Sequence, residues 1–251
     1  MATTIAIAGK GGTGKTTIAA LLIKLLSQKG VVLAVDADPS TNLNQALGLA
    51  LEETVGRVRE KVTKAAKSGS ISPGTTKQEV FDYEIRAALV ESKGLDLLAM
   101  GRPEGPGCYC AANEWLRHSL DRLAQNYRYV VIDCEAGLEH ISRQTTQDID
   151  VLLIVSDLTQ RGITTAARIK ELIGELRSRV GKIYLVVNRA RNGLPPEIVK
   201  LINSHQLELI ATIPEDAKIG DLEVKGRPAV ELPPDSSLRI KVEELANKIG
   251  L

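Results

Sequence analysis

Nine residues, GKGGTGKTT from Gly9 to Thr17, restrict what this chain can fold into more than any other stretch. They follow an apolar run, TIAIA at 4–8, and open a segment, TTIAALLIKLL, with aliphatic residues on successive turns. A strand, a glycine-rich turn and a helix in that order form the first half of a βαβ unit. The stretch satisfies G-x-x-x-x-G-K-[ST] at every required position, and each residue type has a physical reason. Glycines let the backbone curl until successive amide N–H groups face an anion, and the following helix adds its positive end. Lys15 is placed to reach the β- and γ-phosphates of a nucleotide, and the Thr16 hydroxyl to bind Mg²⁺. Gly11, Gly12, Thr13, Gly14, Lys15, Thr16 and Thr17 are therefore the nucleotide-binding candidates. A merely glycine-rich turn explains the glycines but not Lys15 and Thr16 between a strand and a helix.

The rest of the chain repeats this alternation. Short β-rich apolar runs at 31–36, 95–100, 129–133, 151–156, 182–188 and 207–213 are separated by helical stretches. Strands that are apolar throughout are buried on both faces, which predicts an α/β fold: a doubly wound, mostly parallel sheet of about seven strands with helices on both faces. A chain of 251 residues with 43% hydrophobic residues suits a single domain spanning 1–251. Residues 52–94 interrupt the alternation and are expected to form a helical and loop insertion without a strand. Within it Arg57, Arg59, Lys61, Lys64 and Lys67 form a basic run, expected as the solvated face of a helix or, alternatively, a docking surface for an acidic partner.

Composition excludes several partner classes. The formal net charge is +1 and aromatics make up 3%, which fits neither a nucleic-acid groove nor a base-stacking surface. No apolar run approaches a membrane span, and the last stretch mixes Glu243 and Glu244 with its lysines. A cytoplasmic protein without nucleic-acid or membrane partners is expected, its three cysteines reduced and available for metal or chemistry.

Lys10, a second lysine early in the phosphate loop, resembles the signature of the deviant P-loop ATPases of the MinD/ParA type. The resemblance implies that Lys10 crosses a two-fold axis to the ATP of a partner copy, the job of an arginine finger supplied in trans. It also covers VDADPSTN, similar to the first switch of the class, in which Asp38 orients or deprotonates the attacking water, Asp36 lies near the metal and Asn42 reads the nucleotide state. In VVIDCEAGLEH it implies that Asp133 holds Mg²⁺ through water, with a second switch loop beginning near Gly137. Asn188 stands where the class reads the adenine amino group, and Pro214, Glu215 and Asp216 stand in the loop flanking the base. ATP in preference to GTP rests on this resemblance alone.

Two of the three cysteines, Cys108 and Cys110, stand one residue apart in GPGCYC. Two thiolates cannot complete a four-coordinate soft-metal site, but two chains related by a two-fold axis supply four. Four sulfurs hold Zn²⁺ as a tetrahedron or Ni²⁺ as a square plane, so the ligands alone do not choose the metal. A dimer-bridging iron–sulfur cluster also needs four thiolates. Buried inert thiols are the third reading, and the one that fits Cys134 best.

GPGCYCAANEWLR together with DCEAGLEH, containing Glu139 and His140, is similar to the nickel-insertion ATPases that mature carbon monoxide dehydrogenase and, in a close branch, acetyl-CoA synthase. That resemblance implies an ATP-hydrolysing, Mg²⁺-dependent homodimer that binds Ni²⁺ through Cys108 and Cys110, with Zn²⁺ as competitor, and delivers it to one of those apo-enzymes. An iron–sulfur carrier or reductase, and a partition or positioning switch without metal, are the alternatives.

Overall fold

The computed structural model describes residues 2–102, 110–134, 148–175, 179–191 and 193–251, with the backbone alone at 110–115, 117 and 175. Eight strands form one sheet: β1 (Thr3–Gly9), β2 (Val32–Asp36), β3 (Val90–Ser92), β4 (Leu95–Ala99), β5 (Tyr129–Asp133), β6 (Asp148–Ser156), β7 (Arg179–Val187) and β8 (Leu209–Thr212). Their order is β3-β4-β2-β5-β1-β6-β7-β8, and every pairing except β3 with β4 is parallel. Nine α-helices are described: α1 (Lys15–Leu26), α2 (Leu43–Leu47), α3 (Val55–Ser68), α4 (Lys77–Ala87), α5 (Cys110–Ala124), α6 (Gln160–Glu175), α7 (Pro196–Ser204), α8 (Ala217–Val224) and α9 (Ser237–Lys248).

The central strand shows why the sheet is covered twice. Ile5, Ala6, Ile7 and Ala8 are all fully buried, yet they belong to two different cores. Side chains alternate along a strand, so Ile5 and Ile7 pack with residues of α1, α2 and α9, while Ala6 and Ala8 face those of α3 to α7. The expected apolar strands are thus buried on both faces. Among the described residues no helix is long and apolar enough to cross a membrane.

The structure refines two expectations. The sheet has eight strands because β3 is an antiparallel edge strand of three residues, joined to β4 through Lys93 and Gly94, the latter at φ 78°. Its half-exposed Val-Glu-Ser carries no apolar run, so periodicity does not reveal it. In the segment 52–94 most of the basic run is solvated, with Arg57, Lys61, Lys64 and Lys67 exposed, while its two helices pack on each other. Thr76 and Glu79 form a reciprocal capping box that starts α4. Val58 and Val62 of α3 share a core with Phe81 and Ile85 of α4. Arg59 of the basic run is only 5% exposed, and Lys61 pairs with Glu84 at 2.6 Å.

Strand register brings the chemistry to one edge. Asp36 and Asp133 are direct partners across β2 and β5, and Asp133 is level with Ile7 of β1, two residues before the phosphate loop. In an open parallel sheet the carboxyl ends of the strands are where ligands bind.

Candidate nucleotide site

The loop between β1 and α1 holds its shape through glycine. Gly9 has φ 145°, and a Cβ there would lie 2.1 Å from the Val155 carbonyl oxygen, so β6 approaches the loop too closely for any side chain. Gly14 sits at φ 90° as the N-cap of α1, which has neither a capping side chain nor an acidic residue in its first turn. The helix's leading N–H groups are thus without a side-chain acceptor, the arrangement that receives an anion. Lys15, 8% exposed, donates from Nζ to the Lys10 carbonyl at 3.2 Å, and the Thr13 hydroxyl donates to the same oxygen at 2.9 Å.

Beside the loop lie two buried carboxyls. Asp36 Oδ1 accepts the Asp38 N–H at 3.1 Å and Oδ2 accepts the Leu43 N–H at 2.9 Å, yet burial still raises its pKa to about 6. Asp133 is raised to about 7, chiefly by burial, against a lowering hydrogen bond from Thr16. One of its oxygens, Oδ1, is buried without a hydrogen-bond partner. An orphaned carboxylate oxygen beside a threonine hydroxyl fits Mg²⁺, which binds through one or two protein oxygens and takes the rest from phosphate and water. Such a set differs from an all-protein cage, and none of three or more His, Cys, Asp or Glu residues occurs among the described residues. Asp38 is partly exposed, with Oδ1 accepting the Ser40 N–H at 2.8 Å.

A cavity of about 560 Å³ opens from Gly14 and Thr17 toward the far side of the loop. Asn188, Pro214, Glu215 and Asp216 all line it, so residues from three separate stretches of sequence meet there. Arg189 and Arg191 line it as well, and sequence reasoning missed both. The available signal was two cations immediately after a strand-ending asparagine. Arg191 pairs with Glu215, joining the loop after β7 to the loop after β8. Asp216 is a structural hub. It caps α8 by accepting the Lys218 N–H at 2.9 Å, and its Oδ2 accepts from Ser236, Ser237 and Leu238. Burial pushes its pKa up, but these hydrogen bonds outweigh burial and hold it at about 2.

Lys10 points to a residue that sequence reading did not single out. Its Nζ lies 3.6 Å from Asp157 Oδ2, at the end of β6. Asp157 is itself held by the Thr159 N–H and hydroxyl. A Cβ on Gly162 would come within 2.2 Å of Asp157 Oδ1, so Gly162 leaves room for this carboxylate.

Cys108 lies outside the described residues, as do Gly137, Glu139 and His140. Cys110 is the first residue of α5, described by its backbone only. Cys134 is a free, buried thiol, and burial raises its pKa far above the ordinary value. Asn42 precedes α2 as its N-cap without a side-chain capping bond.

Comparison with known proteins places this geometry. The model of a family described as an AAA domain matches residues 2–185. An uncharacterized ATP-binding protein of Methanocaldococcus jannaschii is 46% identical over 98% of this chain and 97% of its own length. The carbon monoxide dehydrogenase accessory protein CooC of Rhodospirillum rubrum is 32% identical over 92% of this chain and 90% of its own length. Among solved structures, the septum site-determining protein MinD of Pyrococcus horikoshii, complexed with Mg-ADP, superposes with a TM-score of 0.70 at 22% identity, covering all of this chain and 96% of that one.

Proposed function

On the premise that this chain belongs to the AAA domain family, as a P-loop ATPase of the MinD/ParA type, we propose that it is an ATP-driven metallochaperone that carries Ni²⁺ to an apo-enzyme. The observation that carries this reading is the 32% identity, over nearly the whole chain, to a carbon monoxide dehydrogenase accessory protein, joined to the Cys-x-Cys of the sequence, Cys108 and Cys110. The client is then carbon monoxide dehydrogenase or acetyl-CoA synthase.

The loop from Gly11 to Thr17 receives the phosphates of ATP, with Lys15 neutralising the outer two. The base and ribose enter the cavity between Asn188 and the Pro214–Asp216 loop. Thr16 and Asp133 would hold Mg²⁺, which would draw charge from the phosphate oxygens. Asp38, at the mouth of the site, orients the attacking water and accepts its proton. Lys10 leaves Asp157 and reaches the triphosphate of a second copy, so that hydrolysis requires a homodimer. Each copy contributes Cys108 and Cys110, and four thiolates close a soft-metal site that Zn²⁺ also fits. Hydrolysis reopens the switch loops and changes the sulfur geometry, releasing the cargo.

A partition or positioning role is the alternative. Against a membrane-targeted version stands α9, whose Leu238, Val242, Leu245 and Ala246 are buried in the core, so that Ile240 is the large apolar side chain it exposes.

Nickel titration of reduced apo-protein without oxygen, with and without ATP, tests the proposal. One Ni²⁺ per dimer with thiolate-to-metal absorbance, lost in Cys108→Ala and in Cys110→Ala, is expected. ATP-driven dimers that bind no nickel would leave the switch without its cargo and favour the alternative.

A further inference from the structure

Asn188 directly follows β7, where its backbone N–H donates to the Ser156 carbonyl of β6 at 2.8 Å. The sheet therefore fixes its Cα, and the side chain is 6% exposed. Its Nδ2 donates to the Thr13 carbonyl at 2.8 Å, and its Oδ1 accepts the Arg189 N–H at 2.9 Å. Arg189 stands at φ 58°, the left-handed region that arginine rarely occupies. The two bonds orient the carboxamide without ambiguity, because a flipped amide would set oxygen against oxygen and N–H against N–H.

The Thr13 carbonyl immediately precedes Gly14, the residue that starts α1. Thr13 is 2% exposed, and its hydroxyl holds the Lys10 carbonyl on which Lys15 rests. A continuous set of hydrogen bonds thus runs from Asn188 through Thr13 to the ammonium of Lys15. Packing repeats the relationship, since a Cβ on Gly14 would lie 2.5 Å from Asn188 Nδ2. The loop is pressed against this one side chain.

We infer that Asn188 is a positioning residue for the phosphate loop, holding Thr13 and thereby Lys15 in place, and that this outweighs any role in reading the base. The inference rests on the reading that residues 9–17 bind the phosphates of ATP. It departs from the expectation that Asn188 recognises adenine. Its carboxamide gives one N–H and one oxygen lone pair to protein partners before any base arrives, and the Thr13 carbonyl receives its side-chain hydrogen bond from Asn188. A buried acceptor left without a donor is costly, and the loop would move to satisfy it.

The test uses a ligand that has no base. Affinities of the full chain for ATP, GTP and inorganic tripolyphosphate are measured by calorimetry with Mg²⁺ for the unaltered protein, Asn188→Ala and Asn188→Asp. A positioning role predicts that both variants lose roughly tenfold in affinity for all three ligands alike. Asn188→Asp is at least as severe, because its carboxylate faces the Thr13 carbonyl in an unchanged volume. Tripolyphosphate binding at the original strength, with ATP reduced to the level of GTP, would establish a base reader and overturn the inference. So would an aspartate variant that binds all three normally, since packing alone would then suffice. The readout is the ratio of the three affinities, which does not depend on how much folded protein each variant yields. If the unaltered protein binds neither ATP nor tripolyphosphate, the phosphate-loop reading itself fails, a result distinct from failure of the Asn188 assignment.

Discussion

Lys10 and Asp157 form an ion pair within one chain, Nζ to Oδ2 at 3.6 Å, with about a third of each side chain exposed. A lysine proposed to act on the nucleotide of a partner copy is thus held at home by its own sheet. Exposed pairs of this kind contribute about 1 kcal/mol or less, so the contact is weak enough to exchange for a triphosphate. Asp157→Asn is expected to lower the ATP concentration needed for half-maximal dimerisation by up to about fivefold, read by light scattering. Lys10→Ala should bind ATP normally and hydrolyse it poorly. Undiminished turnover in Lys10→Ala would remove the lysine from the reaction.

The glycines of the phosphate loop are not equivalent. A Cβ at Gly11 meets nothing within 4 Å, whereas one at Gly9 would lie 2.1 Å from the Val155 carbonyl oxygen in a strand that cannot retreat. Gly11→Ala should therefore change stability by less than about 0.5 kcal/mol in urea unfolding. Gly9→Ala should lose about 3 kcal/mol or more. Equal midpoints for the two variants would contradict the packing described.

Asp216 supplies a pH dependence with a definite sign. Its folded-state pKa, about 2, lies below the ordinary 3.8 because the cap and serine hydrogen bonds favour the carboxylate over burial. The stability it contributes is complete above about pH 4 and is lost as pH falls from about 4 to about 2. Asp216→Asn should cost about 1–2 kcal/mol at pH 7, and that difference should vanish toward pH 2. A gap between the two proteins that stays constant with pH would show that the charge is immaterial.

Asp82 joins the insertion to α5. Its Oδ1 accepts from Gln78 at 2.8 Å and from Ser119 at 2.5 Å, and its Oδ2 pairs with Arg122 at 2.5 Å. Ser119 is 5% exposed, so deleting the acceptor leaves a buried hydroxyl to be satisfied again. Asp82→Ala should destabilise the protein by about 1–3 kcal/mol, with hydrogen exchange rising first in α4 and α5. Protection unchanged in both helices would show that they dock through their apolar contacts alone.

The phosphate loop, the buried strands and the aspartates at the ends of β2 and β5 were legible in the sequence, because each depends on local spacing. A strand buried on both faces must be apolar throughout, and a loop that curls around phosphate must carry glycine at set intervals. The edge strand β3 and the packing of α3 against α4 were not legible. Three half-exposed residues carry no period, and Val58 and Val62 share their core with Phe81 and Ile85 of a separate helix, a pairing that local spacing does not encode.

For the candidate site, the sequence by itself determined which residue types were available, from Lys10 to Asp216. Only tertiary structure decided their partners. Asn188 is 175 residues from Thr13 and Asp157 is remote from Lys10, yet the order of the parallel strands sets β1 beside β6 and β6 beside β7. Contacts between side chains so distant in the chain follow from strand order and register, which local patterns of hydrophobicity and glycine do not encode.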